Sequence, residues 1–274
     1  MQIDLTINTD VAHTILTGFI RSEIRRVGFT RAVIGLSGGI DSALSCALAA
    51  EALGPENVFA VRLPYKSSSP DSLEHAQLLI DQLGIHSETI EITNMVESLM
   101  VRDPQMSKQR KGNIMARQRM VVLYDQSEVL KGLVVGTSNK TEILLGYSTL
   151  WGDMASAFNP IGDLYKTQVR QLSRAMNIPA PIIDKAPSAD LWKDQTDEDE
   201  LGFTYEEVDK LLYLLVDQRY SLQDCIEEGF DAEFVNTVMG RIRRSQFKRL
   251  QPPIAKLSNR TVGYDFLYLR DWGT

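Results

Sequence analysis

Arg31-Ala32-Val33-Ile34-Gly35-Leu36 runs straight into Ser37-Gly38-Gly39-Ile40-Asp41-Ser42, and the reading of this stretch decides the fold. The first half is short, apolar and rich in β-branched residues, the pattern of a strand buried on both faces of a parallel sheet. Residues 43–53 are rich in alanine and leucine and stop at Gly54-Pro55, so they read as a helix. A strand, a glycine-rich turn and a helix in that order present backbone N–H groups and a helix N-terminus to one point, which suits a phosphate.

The same alternation extends on both sides. Asp10 is a candidate N-cap for a helix over 11–27, in which Val11, Ile15, Phe19, Ile20, Ile24 and Val27 recur near helical spacing before Gly28. Residues 58–63 predict a second strand, 70–83 a helix that opens on proline and is followed by Gly84, and 88–92 a third strand. A long helix is expected over 114–130 and a fourth strand over 133–136. The expected fold is therefore α/β, a doubly wound parallel sheet with every strand's carboxyl end and following loop on one edge. Past Asn159 the strand signals fade. Residues 166–176 and 204–247 read as helical, and 185–202 as a mobile, acidic connection. The expected organisation is one domain over 1–274 with a helical carboxyl-terminal extension.

Composition narrows the function. A net charge of 29 − 36 = −7 argues against a general nucleic-acid binder, whose affinity comes from neutralising phosphates. No apolar run is long enough to span a membrane, and the residues after Met1 do not form a secretory signal, so a cytoplasmic location is expected. The only cysteines, Cys46 and Cys225, and the scattered His13, His75 and His86 offer neither a disulfide framework nor a zinc-ligand spacing.

The loop itself lacks the Gly-Lys-Ser/Thr of a Walker A sequence. Ser37 and Ser42 add hydroxyl donors to the backbone N–H groups of Gly38, Gly39 and their neighbours. Asp41 is the informative residue: a carboxylate beside phosphates is repulsive unless a cation lies between, which suggests Mg2+. The structural alternative is a tight strand-to-helix turn with capping serines.

The complete string Ser37–Ser42 in this context resembles the signature loop of the N-type ATP pyrophosphatases, which cleave ATP between the α- and β-phosphates. Four further segments resemble the NAD+ synthetase branch of that group. They are Lys111-Gly112-Asn113-Ile114-Met115-Ala116-Arg117-Gln118-Arg119-Met120, Gly136-Thr137-Ser138-Asn139-Lys140-Thr141-Glu142, Pro160-Ile161-Gly162-Asp163-Leu164-Tyr165-Lys166-Thr167, and Pro187-Ser188-Ala189-Asp190-Leu191-Trp192 running on to Glu198. With the opening loop they span residues 35 to 202.

The resemblance implies an adenine nucleotide alpha hydrolase-like, Rossmann-like fold and a site that takes ATP as co-substrate. Gly35, Leu36, Ser37, Gly38, Gly39, Ile40, Asp41, Ser42, Arg62, Thr137, Lys166 and Ser188 would bind ATP. Asp41 and Glu142 would hold Mg2+, and Lys166 would offset phosphate charge. Arg117 and Lys248 would bind the second substrate, deamido-NAD+. Asp153 would accept a proton from ammonium, so that ammonia displaces AMP from an adenylated carboxylate. The resemblance further implies a homodimer, for which the helix over 114–130 could serve as interface or simply as core. The loop 185–202 would close over the site. No glutaminase domain is expected, although a separate glutaminase subunit would also supply ammonia.

Several residues also have plain readings. Glu142 alone reads as a helix-face carboxylate and Arg117 as a solvated arginine. Lys166 alone is a lysine near a helix start, where the dipole offers a cation nothing. The acids Asp194, Asp197, Glu198, Asp199 and Glu200 read as a solvated loop without a catalytic role. Arg241, Arg243, Arg244, Lys248 and Arg249 read equally as a charged helix face or as contacts to dinucleotide phosphates. Short ammonia-dependent relatives carry Lys-Tyr-Gly-Asp and a later aspartate where this chain has Leu150-Trp151-Gly152-Asp153 and Ala157. Those changes bear on the dinucleotide pocket. Another adenylating ligase, a tRNA-modifying relative or a non-catalytic nucleotide sensor remain the alternatives.

Overall fold

The computed structural model describes residues 3–188, 190–192 and 195–266. Its centre is a parallel sheet in the order β3-β2-β1-β4, with β1 at Arg31–Gly35, β2 at Val58–Arg62, β3 at His86–Thr89 and β4 at Gly132–Val134. Val33 lies opposite Phe59 on one side and Val134 on the other, which fixes the register at the centre. The helices before and between the strands are α1 (Thr9–Arg26), α2 (Ile40–Leu53), α3 (Pro70–Leu83), α4 (Thr93–Met100) and α5 (Lys108–Leu130).

The alternation of β1 assigns its two faces. Ala32 and Ile34 join Leu44, Leu48 and Leu79 beneath α2 and α3. Val33 points the other way, to Val61, Val96, Met115 and Val122 beneath α4 and α5. The sheet is thus covered on both sides, as the β-branched run required. α2 is buried without interruption from Ala43 to Ala50, and its small side chains let the sheet on one side and α1 and α7 (Lys166–Ala175) on the other approach closely. Cys46 and Cys225 are buried and free.

Some boundaries differ from the sequence reading. α1 starts at Thr9 because Asn8, not Asp10, caps it, accepting from the Val11 N–H at 3.0 Å. α2 begins at Ile40, so Asp41 and Ser42 belong to its first turn and not to a preceding loop. β3 lies at 86–89 instead of 88–92 and is exposed along its length. It is an edge strand, and no apolar alternation marks its start. Ile90 and Ile92 still donate to the carbonyls of Arg62 and Pro64, but Pro64 has no N–H to return, so the ladder ends. α5 starts six residues before the apolar spacing, where Ser107 caps it. Residues 197–201 form a helix, α9 (Asp197–Leu201), where a loop was expected, capped by Thr196.

Beyond β4 come α6 (Lys140–Leu145), α7, α8 (Ala180–Ile183) and α9, then α10 (Tyr205–Leu212), a π turn at Tyr213–Asp217, α11 (Leu222–Glu227) and α12 (Ala232–Ser245). The helical extension has its own cluster of Leu145, Tyr165, Leu201, Tyr205, Val208, Leu212, Val235 and Val238. It packs on α6 and α7. Closeness at this seam is enforced at Gly146, which caps α6 at φ 66°; a Cβ there would lie 2.1 Å from the Cβ of Ser245. On α5, Met115, Ala116 and Val122 are buried while Val121, Tyr124 and Val129 are exposed, so this helix serves the core and also leaves an apolar outer face. No helix among the described residues is long and apolar enough to cross a membrane.

Candidate active site

A cavity of about 270 Å3 opens at the carboxyl ends of β1 and β4. This is where the chain leaves β1 toward β2 on one side and β4 arrives from the other, the crevice in which open parallel sheets bind ligands. Its floor is Gly35, Leu36, Ser37, Gly39, Ile40, Asp41 and Ser42, and its walls include Gly136, Thr137, Ser138, Glu142, Lys166 and Ser188.

The loop is held by its serines. Ser42 Oγ donates to the Gly39 carbonyl at 3.0 Å, accepts from the Ser37 N–H at 3.2 Å, and lies 3.1 Å from Ser37 Oγ. Gly38 has φ 78°, and a Cβ on it would sit 2.2 Å from the Ser72 carbonyl oxygen in α3. Only glycine lets the loop take this turn against α3. The serines brace the turn and do not cap α2, whose N-cap is Gly39 without a side-chain hydrogen bond.

Opposite the loop stands a buried ionic cluster. Lys166 Nζ is 2.5 Å from Asp41 Oδ2 and 3.1 Å from Glu142 Oε1, and the lysine is 2% exposed. Asn139, fully buried, joins the pieces: its Nδ2 donates to Asp41 Oδ1 at 2.8 Å, and its Oδ1 accepts from the Glu142 N–H at 3.0 Å. The Asn139 N–H in turn donates to Glu142 Oε2, completing a capping box for α6. Glu142 is thus both a helix cap and a member of the site. The position of Lys166 at the start of α7, unfavourable to the dipole, is explained by the carboxylates it meets. Burial works to lower its pKa, but Asp41, Glu142 and Asp197 outweigh that and hold it above the usual lysine value. Burial raises Glu142, with Asp41 and Asp197 adding to the rise and Lys166 opposing it.

A second layer fixes these groups. Thr141 Oγ1 accepts from the Lys166 N–H at 3.0 Å and donates to Asp209 Oδ1 at 2.5 Å, while Asp209 Oδ2 accepts from the Thr167 N–H at 2.8 Å. Asp209, fully buried on α10, so ties the starts of α6 and α7 together. From the far end, Lys248 donates to the carbonyls of Gly146 and Ser148, and Arg249 to those of Ile143, Leu144 and Ile242. The two cations serve carbonyls at and just beyond the end of α6, and Arg249 ties them to Ile242 of α12.

Asp153 lines the cavity with its carboxylate accepting from the Thr149 N–H at 2.6 Å. The side chain stays accessible from the cavity, yet crowding by surrounding protein raises its carboxyl above the ordinary value. Arg62 turns to Gln77 on α3 at 2.7 Å and is not among the lining residues, since Val61 and Leu63 take the cavity side of that strand. Arg117 is exposed outside the cavity and donates to the Leu150 carbonyl at 3.2 Å. Arg119, two positions on and so across the helix, lines the cavity and donates to the Leu63 carbonyl at 3.1 Å. Asp197 is also a site residue that the acidic run concealed: it is 4% exposed and lines the cavity, and burial raises its carboxyl. The reading of Asp197 as solvated is therefore corrected; Asp194, from the same run, lies outside the described residues. Part of the 185–202 segment is docked, with Asp190 accepting from the Ser69 N–H at 3.1 Å and from Ser72 Oγ at 3.1 Å. Ala189 and Lys193 of that segment also lie outside the described residues.

Backbone N–H groups at a helix start, hydroxyls beside them and a buried lysine opposite suit a polyphosphate, which places the molecule among the α/β nucleotide-binding enzymes. Within that class the chain belongs to the NAD synthase family, whose family model matches residues 13–252. It is 56% identical over 269 residues to the NH(3)-dependent NAD(+) synthetase of Trichlorobacter lovleyi, covering 98% of both chains. Among solved structures it is similar to the NH3-dependent NAD synthetase of Campylobacter jejuni (TM-score 0.79, 33% identity, 91% of this chain and 100% of that one). It is also similar to an NMN synthetase from Francisella tularensis (TM-score 0.81, 32% identity, 91% and 99%).

Proposed function

We propose that the chain is a carbon–nitrogen ligase that converts the nicotinate carboxylate of deamido-NAD+ to the amide of NAD+ with ammonia, cleaving ATP to AMP and pyrophosphate. The observation that carries this reading is the Asp41–Lys166–Glu142 cluster facing the Ser37–Ser42 loop across one cavity.

A carboxylate resists ammonia because oxide is a poor leaving group. ATP removes the obstacle: the carboxylate oxygen attacks the α-phosphorus, pyrophosphate leaves, and the carbonyl carbon now bears AMP. The loop N–H groups and the Ser37 and Ser42 hydroxyls hold the phosphates, and Thr137 and Ser188 line the same space. Lys166 places a positive charge where charge develops on the leaving pyrophosphate. Asp41 and Glu142 fit a hard cation as two oxygen ligands. Mg2+ typically takes one or two carboxylates together with substrate phosphates, a set that these two carboxylates and bound ATP would supply. Mg2+, when bound there, would supply further charge neutralisation on the phosphates.

Ammonia then attacks the activated carbonyl and AMP departs. Asp153, raised by its surroundings and open to the cavity, accepts the proton that ammonium must lose. Arg119 faces the cavity near it, while Arg117 and Lys248 anchor the 146–150 segment from outside. That side of the cavity, lined by Thr149, Gly152, Asp153 and Ala155, is where the dinucleotide enters. The segment 185–202 closes over the site to keep the adenylate from water. A homodimer would use the exposed apolar face of α5, and the protein acts in the cytoplasm on free ammonia. Deamido-NAD+ carrying 18O in its carboxylate tests the route: one labelled oxygen must appear in AMP, and label in pyrophosphate or in neither product would overturn it.

A further inference from the structure

Lys166 stands between Asp41 and Glu142, the two carboxylates read above as the ligands of a divalent cation. A cation bonded to those same oxygens at about 2 Å would share their space with an ammonium already in contact with them. Two positive centres cannot both stay there, so the lysine must have another place to go. It is 2% exposed, which confines that place to its immediate surroundings.

Asp197 meets the requirement. It is 4% exposed and lines the same cavity. Its Oδ2 accepts from the Tyr205 hydroxyl at 3.0 Å, but its Oδ1 is buried without a hydrogen-bond partner. The nearby Tyr147 hydroxyl has one proton and donates it to Glu200 at 2.9 Å. A buried carboxylate oxygen left unsatisfied is costly unless it is partnered in another state of the molecule. Lys166 and Asp197 already attract one another. The ring of Tyr205, whose hydroxyl holds Asp197, lies 5.1 Å from Lys166 Nζ and offers an apolar yet cation-attracting surface beside the lysine.

We propose that Lys166 occupies the cation's place in the free protein, and that Asp197 is the positioning residue that holds its ammonium, still beside the phosphates, when the cation and ATP enter. Asp197 opens α9, and its N–H donates to the Pro187 carbonyl at 2.9 Å. The exchange of partners thereby links occupation of the phosphate site to the segment that covers it. This inference rests on the reading of Asp41 and Glu142 as cation ligands.

Binding of Mn2+ to the full chain, followed by the electron paramagnetic resonance of the free ion with and without ATP, tests it. Lys166→Met removes the placeholder and raises Mn2+ affinity in the absence of ATP by about tenfold. Asp197→Asn weakens Mn2+ binding by about five- to tenfold in the unsubstituted background and by less than about twofold in the Lys166→Met background. Circular dichroism confirms that each variant is folded; if Lys166→Met is not, Lys166→Gln serves the same cycle. An equal loss from Asp197→Asn in both backgrounds, or no gain from removing Lys166, overturns the proposal. Absence of Mn2+ binding to the unsubstituted chain in the presence of ATP overturns the cation site itself, and the inference with it.

Discussion

Substituting Gly38 with alanine attacks the phosphate loop at the point where the chain leaves it least choice. The backbone there has φ 78°, and the new Cβ would meet the Ser72 carbonyl oxygen at 2.2 Å. The left-handed conformation costs an alanine about 1–2 kcal/mol. The overlap adds about 1–3 kcal/mol, because the obstacle is backbone in the first turn of α3 and cannot rotate aside. Together the two costs come to about 2–5 kcal/mol, relieved in part by a retreat of the loop from α3. Such a retreat of about 1 Å misaligns the N–H groups that face the phosphates, so ATP affinity falls by about tenfold or more. Gly84→Ala is the control: φ is 65° there, but nothing lies within 4 Å of the added Cβ and the site is remote. It should lose about 1–2 kcal/mol of stability and leave ATP binding unchanged. Urea unfolding measures the first quantity and calorimetric titration with ATP the second. Equal destabilisation by the two alanines, or unaltered ATP affinity in Gly38→Ala, would show that the approach of Gly38 to Ser72 does not set the loop.

The second layer gives two further expectations. Burial raises the carboxyl of Asp209 above its ordinary value. A carboxyl raised by folding costs stability once pH exceeds its unfolded pKa, and the cost grows until the folded group has ionised. Asn does not titrate, so the Tm of Asp209→Asn relative to the unsubstituted chain should move in the variant's favour from about pH 4 to pH 7. A pH-independent difference contradicts this. Gly146→Ala would place its Cβ 2.1 Å from that of Ser245 and push α12 off α6. It should cost about 2–4 kcal/mol and lower the rate of pyrophosphate release by displacing Glu142. Ser245→Gly should recover part of both losses, and the lack of any recovery would show that the contact is not the cause.

The strand and loop from Arg31 to Ser42 were legible because a doubly buried strand admits little but small and branched apolar residues, and its turn little but glycine. β3 was misplaced because an exposed edge strand carries no such restriction, and His86 and Ser87 give no apolar signal. Glu142 and Lys166 were picked out by resemblance, but the reason they meet, Asn139 bridging to Asp41, joins residues 98 positions apart. Asp197 could not be separated from Glu198, Asp199 and Glu200 by composition; only the packing of α9 against α10 decides which acid turns inward. Arg117 and Arg119 present a subtler case. Both sit between Lys111 and Met120, and helix geometry puts them on different faces, yet which face meets the cavity depends on how α5 lies across β1 and β4.

The products that the full chain makes from ATP, Mg2+, ammonium and deamido-NAD+, with nicotinic acid mononucleotide supplied in a parallel reaction, distinguish an amide ligase from the alternatives. NAD+, AMP and pyrophosphate should form in equal amounts, with the dinucleotide strongly preferred over the mononucleotide. ADP and phosphate in place of AMP and pyrophosphate, or no amide product from deamido-NAD+, would contradict it.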